Sequence, residues 1–303
     1  MDNKIITTQV LIFAVMMFIG FLARKKRTIT PEVTKGLSDV LINITSPLMV
    51  FTSFQFTYTS DMLRSAGKVF VFSLFIHLFS LLLGLVIYNM YPKPSRTILR
   101  FITVFSNCGF MGLPLLQAIY GRIGVFYGSI YLTVFNLLLW TVGVVIFTGK
   151  QRQKSWGRDL LNPNIIGVVL GLATFALSIK IPSPVYSALE LVGGMTTPLS
   201  MLVIGSLLAG VGIRDLFSGS ALYYGTFIRL VVIPGLTLLI TSLYNLTPIL
   251  QGVCVLCAAA PAASLTAIFA EKHNGDALFA SRIIFFSTVL SLFTLPLFLL
   301  LVG

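Results

Sequence analysis

Charge is what this sequence has least of. Its 303 residues include 21 Lys or Arg and 9 Asp or Glu, whereas 56% are hydrophobic. A soluble domain carries about 25% charged residues, so this chain lacks the polar surface to coat a water-facing globule and reads as an integral membrane protein. Histidine is also scarce, at 2 residues, and there is neither an HExxH pattern nor a pair of carboxylates on one helix. That excludes the usual intramembrane hydrolases, and no enzyme is expected. The missing GxxxxGK[ST] run excludes a nucleotide-driven motor. Cys108, Cys254 and Cys257 all lie in apolar runs, so no disulfide framework is implied. Cys254-x-x-Cys257 has no companion pair or histidine, and small-residue helix packing accounts for it better than a redox or metal pair. Neither a metal nor an organic cofactor is expected.

What is present is a succession of long apolar runs. In lipid only helices satisfy their own backbone over such lengths, and a barrel would show short alternating segments instead. Spans are expected near 5–23, 35–57, 67–91, 97–120 and 122–148, then near 164–180, 184–211, 218–242, 249–270 and 276–301. The fold class is therefore an all-α membrane protein of ten spans. Arg24-Lys25-Lys26-Arg27 follows the first run rather than preceding it, so that run is expected to stay as a span. Placing loops 24–36, 92–100, 149–163, 212–217 and 271–275 in the cytoplasm collects 14 of the 21 basic residues there. That bias puts both termini outside, in a multi-pass protein of the cytoplasmic membrane. It also explains the net charge of +12 through topology, so nucleic acid is not an expected partner, whereas the bilayer is.

The polar stretch at 149–163 divides the chain into two halves, 1–148 and 164–303, that repeat. Thr45-Ser46-Pro47-Leu48 recurs as Thr196-Thr197-Pro198-Leu199, and the same offset carries Asp39 onto Glu190, the sole acids of their spans. Spans four and nine also correspond, each rich in small residues and interrupted by proline. Five spans per repeat is an odd number, so the second repeat is inverted. Inverted repeats with matching broken helices are the architecture of secondary transporters, with the substrate near the bilayer midplane.

Asn107, Gly109, Gly112 and Pro114 fall within eight residues of one apolar span. There the helix is expected to unwind near Asn107, with the asparagine capping a restarted helix. Pro261 does the same in span nine, freeing backbone groups around Leu256 to Ala260. Two half-helix starts meeting at midplane would hold a carboxylate without a fixed cation. A proline kink with a packing face is the blander reading of either span alone.

The segments Asn107-Cys-Gly-Phe-Met-Gly-Leu-Pro-Leu-Leu with Tyr120-Gly121, and Pro261 through Asp276, resemble the auxin efflux carrier family, as do Ser46-Pro-Leu-Met and Ser291-Leu-Phe-Thr-Leu-Pro296. That family includes bacterial and yeast carriers and the plant PIN auxin exporters, and this chain looks like a compact bacterial member. The resemblance implies two inverted five-helix repeats similar to the sodium/proton antiporter and bile-acid symporter fold, with spans four and nine crossing in a transport domain. Its implied substrates are organic anions, mono- or dicarboxylates in particular, with Na+ or H+ coupling and a homodimer left open. Carried across, Asn107 matches the crossover asparagine, Pro261 the crossover proline of span nine, and Ser53 the span two serine. Asn136 falls where plant members have glutamine, and Cys108 and Ala262 adjoin the crossover. Ser106 departs from the plant pattern, which has proline there, so auxin itself is not implied.

Four further polar residues invite a role. Asp39 and Glu190 read either as snorkelling, dipole-favoured acids or as a symmetric pair of gating or coupling groups. Arg229 sits mid-span, where a cation costs at least about 2.5 kcal/mol, so it is expected to pair with an acid or help hold an anion. His77 reads as a hydrogen-bonded packing residue.

Overall fold

Apolar runs in a membrane leave the backbone no partner but itself, and the long described segments are all helical. The structure, a computed structural model, describes residues 3–57, 59–149, 163–210, 219–273 and 275–302. Residues 150–162 of the expected linker at 149–163, and the expected loop at 212–217, lie outside the described residues.

The first half holds α1 (Asn3–Lys25), α2 (Pro31–Val40), α3 (Ser46–Ser53), α4 (Ser60–Ile87), α5 (Lys93–Val104), α6 (Leu113–Leu138) and α7 (Val144–Thr148). The second holds α8 (Pro163–Ala176), α9 (Ser183–Gly194), α10 (Thr196–Ala209), α11 (Ser220–Phe227), α12 (Ile233–Leu243), α13 (Pro248–Ala259), α14 (Leu265–Lys272) and α15 (Ala277–Val302). Among the described residues, five stretches are long and apolar enough to cross a membrane: Ser60–Ile87, Cys108–Thr148, Ser183–Ala209, Ser220–Leu243 and Ala277–Val302. Pro163–Ala176 and Pro248–Ala259 are shorter apolar helices. The chain is thus a multi-pass helical membrane protein.

Proline and glycine set the irregular points. Helical π turns at Leu41–Thr45, Cys108–Gly112 and Ile228–Val232 each run into a helix whose second residue is proline: Pro47, Pro114 and Pro234. A proline ring collides with the carbonyl four residues back, and widening that turn relieves the collision. Gly121 has φ 61° and ψ −150°, a conformation essentially restricted to glycine, and there α6 breaks. The boundary expected between spans four and five falls at that residue. The third span starts at Ser60 rather than near 67, because the Thr59 hydroxyl accepts from the Met62 amide at 3.3 Å and caps the helix early.

Packing sorts the helices into two groups. α1 lies along α10, while α3 packs against α8 and α9. Elsewhere α4 packs on α5 and α6, α13 on α6, α12 and α15, and α14 on α15. The first contact is close: a Cβ built on Gly205 would overlap the Met17 carbonyl oxygen, so only glycine lets these backbones approach. The second group contains the breaks at Asn107 and Pro261, buried against the core that α6 and α13 share.

Candidate functional site

α5 ends at Val104 and α13 at Ala259, and the two extended segments that follow meet. The Asn107 amide donates to the Pro261 carbonyl at 2.7 Å, and the Ala263 amide donates to the Phe105 carbonyl at 3.2 Å. Ser106 and Ala262 form an isolated antiparallel bridge between them. Sequence reasoning expected both helices to unwind here, and they do. One detail differs: Asn107 stands at the start of the restarted helix, yet its side chain caps nothing. Its Nδ2 donates across the crossing to the Ser264 hydroxyl at 3.2 Å, so the side chain joins the two broken helices instead of finishing one.

Several backbone groups released by these breaks are buried and have found partners, as a low-dielectric interior demands. Ser106 donates its hydroxyl to the Cys257 carbonyl at 2.8 Å, and the Ala262 amide donates to the Ser287 hydroxyl at 3.1 Å. Arg229 reaches three more carbonyls. One guanidinium nitrogen donates to the Thr103 carbonyl at 3.1 Å and the Ile102 carbonyl at 3.4 Å, and the other donates to the Ala258 carbonyl. An acid partner or a substrate contact was expected for this residue. Among the described residues it pairs with no carboxylate, and it does not line the cavity described next.

That cavity opens beside the crossing and holds about 650 Å³ of atom-free space, mouth included. Asn107, Gly109 and Phe110 line it from one broken helix, and Ala263, Ser264 and Leu265 from the other. Asn136 and Trp140 of the fifth apolar run close the side, and Ser46 with Asn164 form the facing wall. Ser46 donates to the Asn164 side-chain oxygen at 2.7 Å, bridging α3 to α8. Asn136 Nδ2 donates to the Leu132 carbonyl at 2.9 Å. The polar lining is neutral, made of amides, hydroxyls and the Trp140 indole, without an Asp, Glu, Lys or Arg.

Of the sequence candidates, Asn107 and Asn136 therefore share one cavity. Pro261, Cys108 and Ala262 are not among its lining residues; they support the crossing from behind. Ser53 lies elsewhere, in a second cavity with Glu190, Gln117 and Arg122 that holds about 430 Å³ of atom-free space, mouth included. Beside that cavity Arg122 donates to the Tyr186 hydroxyl at 2.5 Å, which donates to Glu190 at 2.9 Å. The Arg122 guanidinium also lies 5.2 Å from the Phe56 ring centre and 5.9 Å from that of Tyr186. Asp39 is exposed and lines neither cavity, so the two acids do not occupy equivalent surroundings. His77 is buried, with Nδ1 donating to the Ser73 carbonyl at 2.7 Å and its ring 5.1 Å from that of Tyr131. Cys108, Cys254 and Cys257 are free and buried.

Sequence reasoning missed Asn164, Ser264, Arg122 and Tyr186. The four-residue spacing of Tyr186 and Glu190 was a readable signal, since it puts both on one helix face. Asn164 gave none beyond a polar residue opening an apolar run.

A family model described as Membrane transport protein matches the chain twice, over residues 5–155 and 150–299. An uncharacterized transporter of Methanocaldococcus jannaschii is 24% identical over 307 residues, covering 95% of this chain and 96% of the relative. An uncharacterized transporter of Methanothermobacter thermautotrophicus is 25% identical over 300 residues, covering 96% of each. Both relatives are named as transporters, and neither as an enzyme. The chain belongs to the membrane transport protein family that includes the auxin efflux carriers.

Proposed function

We propose that the protein is a secondary carrier of small organic anions, carboxylates foremost, and that the substrate binds where the two broken helices cross. The observation that carries this reading is the makeup of the first cavity, which reaches the opening turns of both restarted helices while its own side chains stay neutral. First-turn amides have no acceptor within their helix, and each helix start carries about half a positive charge. Two such starts attract a carboxylate, Asn107 and Ser264 offer side-chain polarity beside them, and Phe110 and Trp140 cover an apolar remainder. A cation or proton antiporter would want a carboxylate at the crossing, and the described lining offers none.

The layout that goes with this function is ten membrane spans in two inverted repeats, 1–148 and 164–303. In its support, α5 and α13 are both twelve residues long, carry proline in their first turn and end at the crossing. The basic residues favour termini outside a cytoplasmic membrane. Alternating access would move the group holding the crossing (α4 to α7 and α11 to α15) past the group of α1 to α3 and α8 to α10. Ser53 and Glu190 would then belong to the gate on one face and Asn107 and Asn136 to the site open at the other. Na+ or H+ coupling and a homodimer are compatible with this arrangement.

The test is uptake by proteoliposomes across a panel of mono- and dicarboxylates, with and without sodium and a pH gradient. Saturable uptake of a carboxylate is expected, and a panel that yields none sinks the reading. Asn107→Ala should abolish that uptake while the purified protein stays monodisperse; unchanged uptake would remove Asn107 from the site.

A further inference from the structure

α5 and α13 run into the crossing with their C-terminal ends. The last carbonyls of a helix carry negative partial charge, so an anion seated there meets two repulsive helix ends as well as two attractive starts. Something must offset the repulsive pair. The Arg229 guanidinium bonds to Ile102 and Thr103 of α5 with one arm and to Ala258 of α13 with the other. The planar fork of arginine suits this bridge, whereas the ammonium of lysine is a single point that cannot span both helices. The residue is buried, sits on the π turn Ile228–Val232, and stands behind the crossing rather than in the cavity.

We propose that Arg229 is the positioning residue of the crossing: its charge offsets the two negative helix ends, and its fork fixes one broken helix against the other, so that the anion meets only the amide starts. This rests on the crossing being an anion site. The two halves of the proposal separate experimentally, because lysine keeps the charge without the fork and glutamine loses the charge.

Arg229→Lys and Arg229→Gln are compared with the parent protein in two measurements. One is KM and maximal flux in proteoliposomes for the carboxylate the parent carries best. The other is amide hydrogen exchange over residues 105–112 and 260–265. Arg229→Gln should raise KM by about tenfold or more, the effect of losing a cation beside two helix ends. Arg229→Lys should keep KM within about threefold while maximal flux falls. Exchange in both segments should quicken by about tenfold in either variant, because the fork is gone in both. A lysine variant whose KM rises as far as that of the glutamine variant would overturn the charge role, since packing alone would then account for both. Exchange unchanged from the parent in the lysine variant would overturn the tie, and that result can be read even where the glutamine variant fails to fold. A parent protein that carries no carboxylate would instead defeat the transport reading, leaving the tie to be decided by exchange.

Discussion

An amide at the crossing has a different meaning from a carboxylate at the same point. Asn107 spans the two broken helices through Ser264 without adding charge to the cavity. Asn107→Asp places a negative group where the substrate carboxylate is expected to dock, and at neutral pH like charges exclude each other. Binding of a carboxylate should therefore be lost at pH 7. It should return in part as pH falls through the introduced group's pKa, because the protonated form is neutral; a ligand-induced thermal shift measured across pH reads this out. Ser46→Ala probes the facing wall. It removes a buried donor to Asn164, and breaking such a bond costs about 1 to 3 kcal/mol. Melting in detergent should drop accordingly, whereas a residue that merely fills space would cost less. Among single residues, Asn107 was conspicuous as an amide among glycines and a proline in an apolar run, whereas Asn136 was reached only through the family resemblance. Arg229 was conspicuous too, but its partners are carbonyls on helices more than a hundred residues before it in one case and twenty-nine after it in the other, and no pattern along the chain marks a carbonyl as needing a cation.

Elements were more readable than their joints. The apolar runs announced helices, and proline with glycine announced where spans four and nine would come apart. The joints depend on geometry that composition carries faintly. The π turns at Leu41–Thr45 and Ile228–Val232 follow from Pro47 and Pro234 only once the helix is known to continue through them. Gly121 is the clearest joint, since its backbone conformation is one that an alanine adopts only under strain. Gly121→Ala should cost about 1 to 3 kcal/mol and lower the melting temperature. Space around Gly121 is open, so a loss of stability there can be assigned to backbone conformation rather than crowding. Gly205→Ala is the converse case. Its backbone is ordinary, and the added methyl would meet the Met17 carbonyl, so the loss comes from prising α1 away from α10. If that packed pair serves as the stationary group, Gly205→Ala should lower stability while leaving the KM of the folded fraction unchanged.

At the scale of the whole molecule the two cavities are the informative pair. Both lie where the group holding the crossing faces the other group, one at Asn107 and Asn136, the other at Ser53 and Glu190. The second is bridged by Arg122, which follows the Gly121 break, and by Tyr186 and Glu190, which stand on α9. An exposed contact of this kind is worth at most about 1 kcal/mol, enough to bias two conformations and too little to lock either. Movement of the crossing would separate Arg122 from Tyr186 and open that side as the other closes. Single cysteines at Ser53 and Asn136, in a background where Cys108, Cys254 and Cys257 are replaced, would report this through labelling by a membrane-impermeant maleimide from either side. The expected outcome is reciprocal: conditions that slow labelling at one position should quicken it at the other, and Tyr186→Phe should move the balance toward labelling at Ser53→Cys. Labelling that rises or falls together at both positions would mean a pore or a loosened fold, and a carrier working by alternating access would be ruled out.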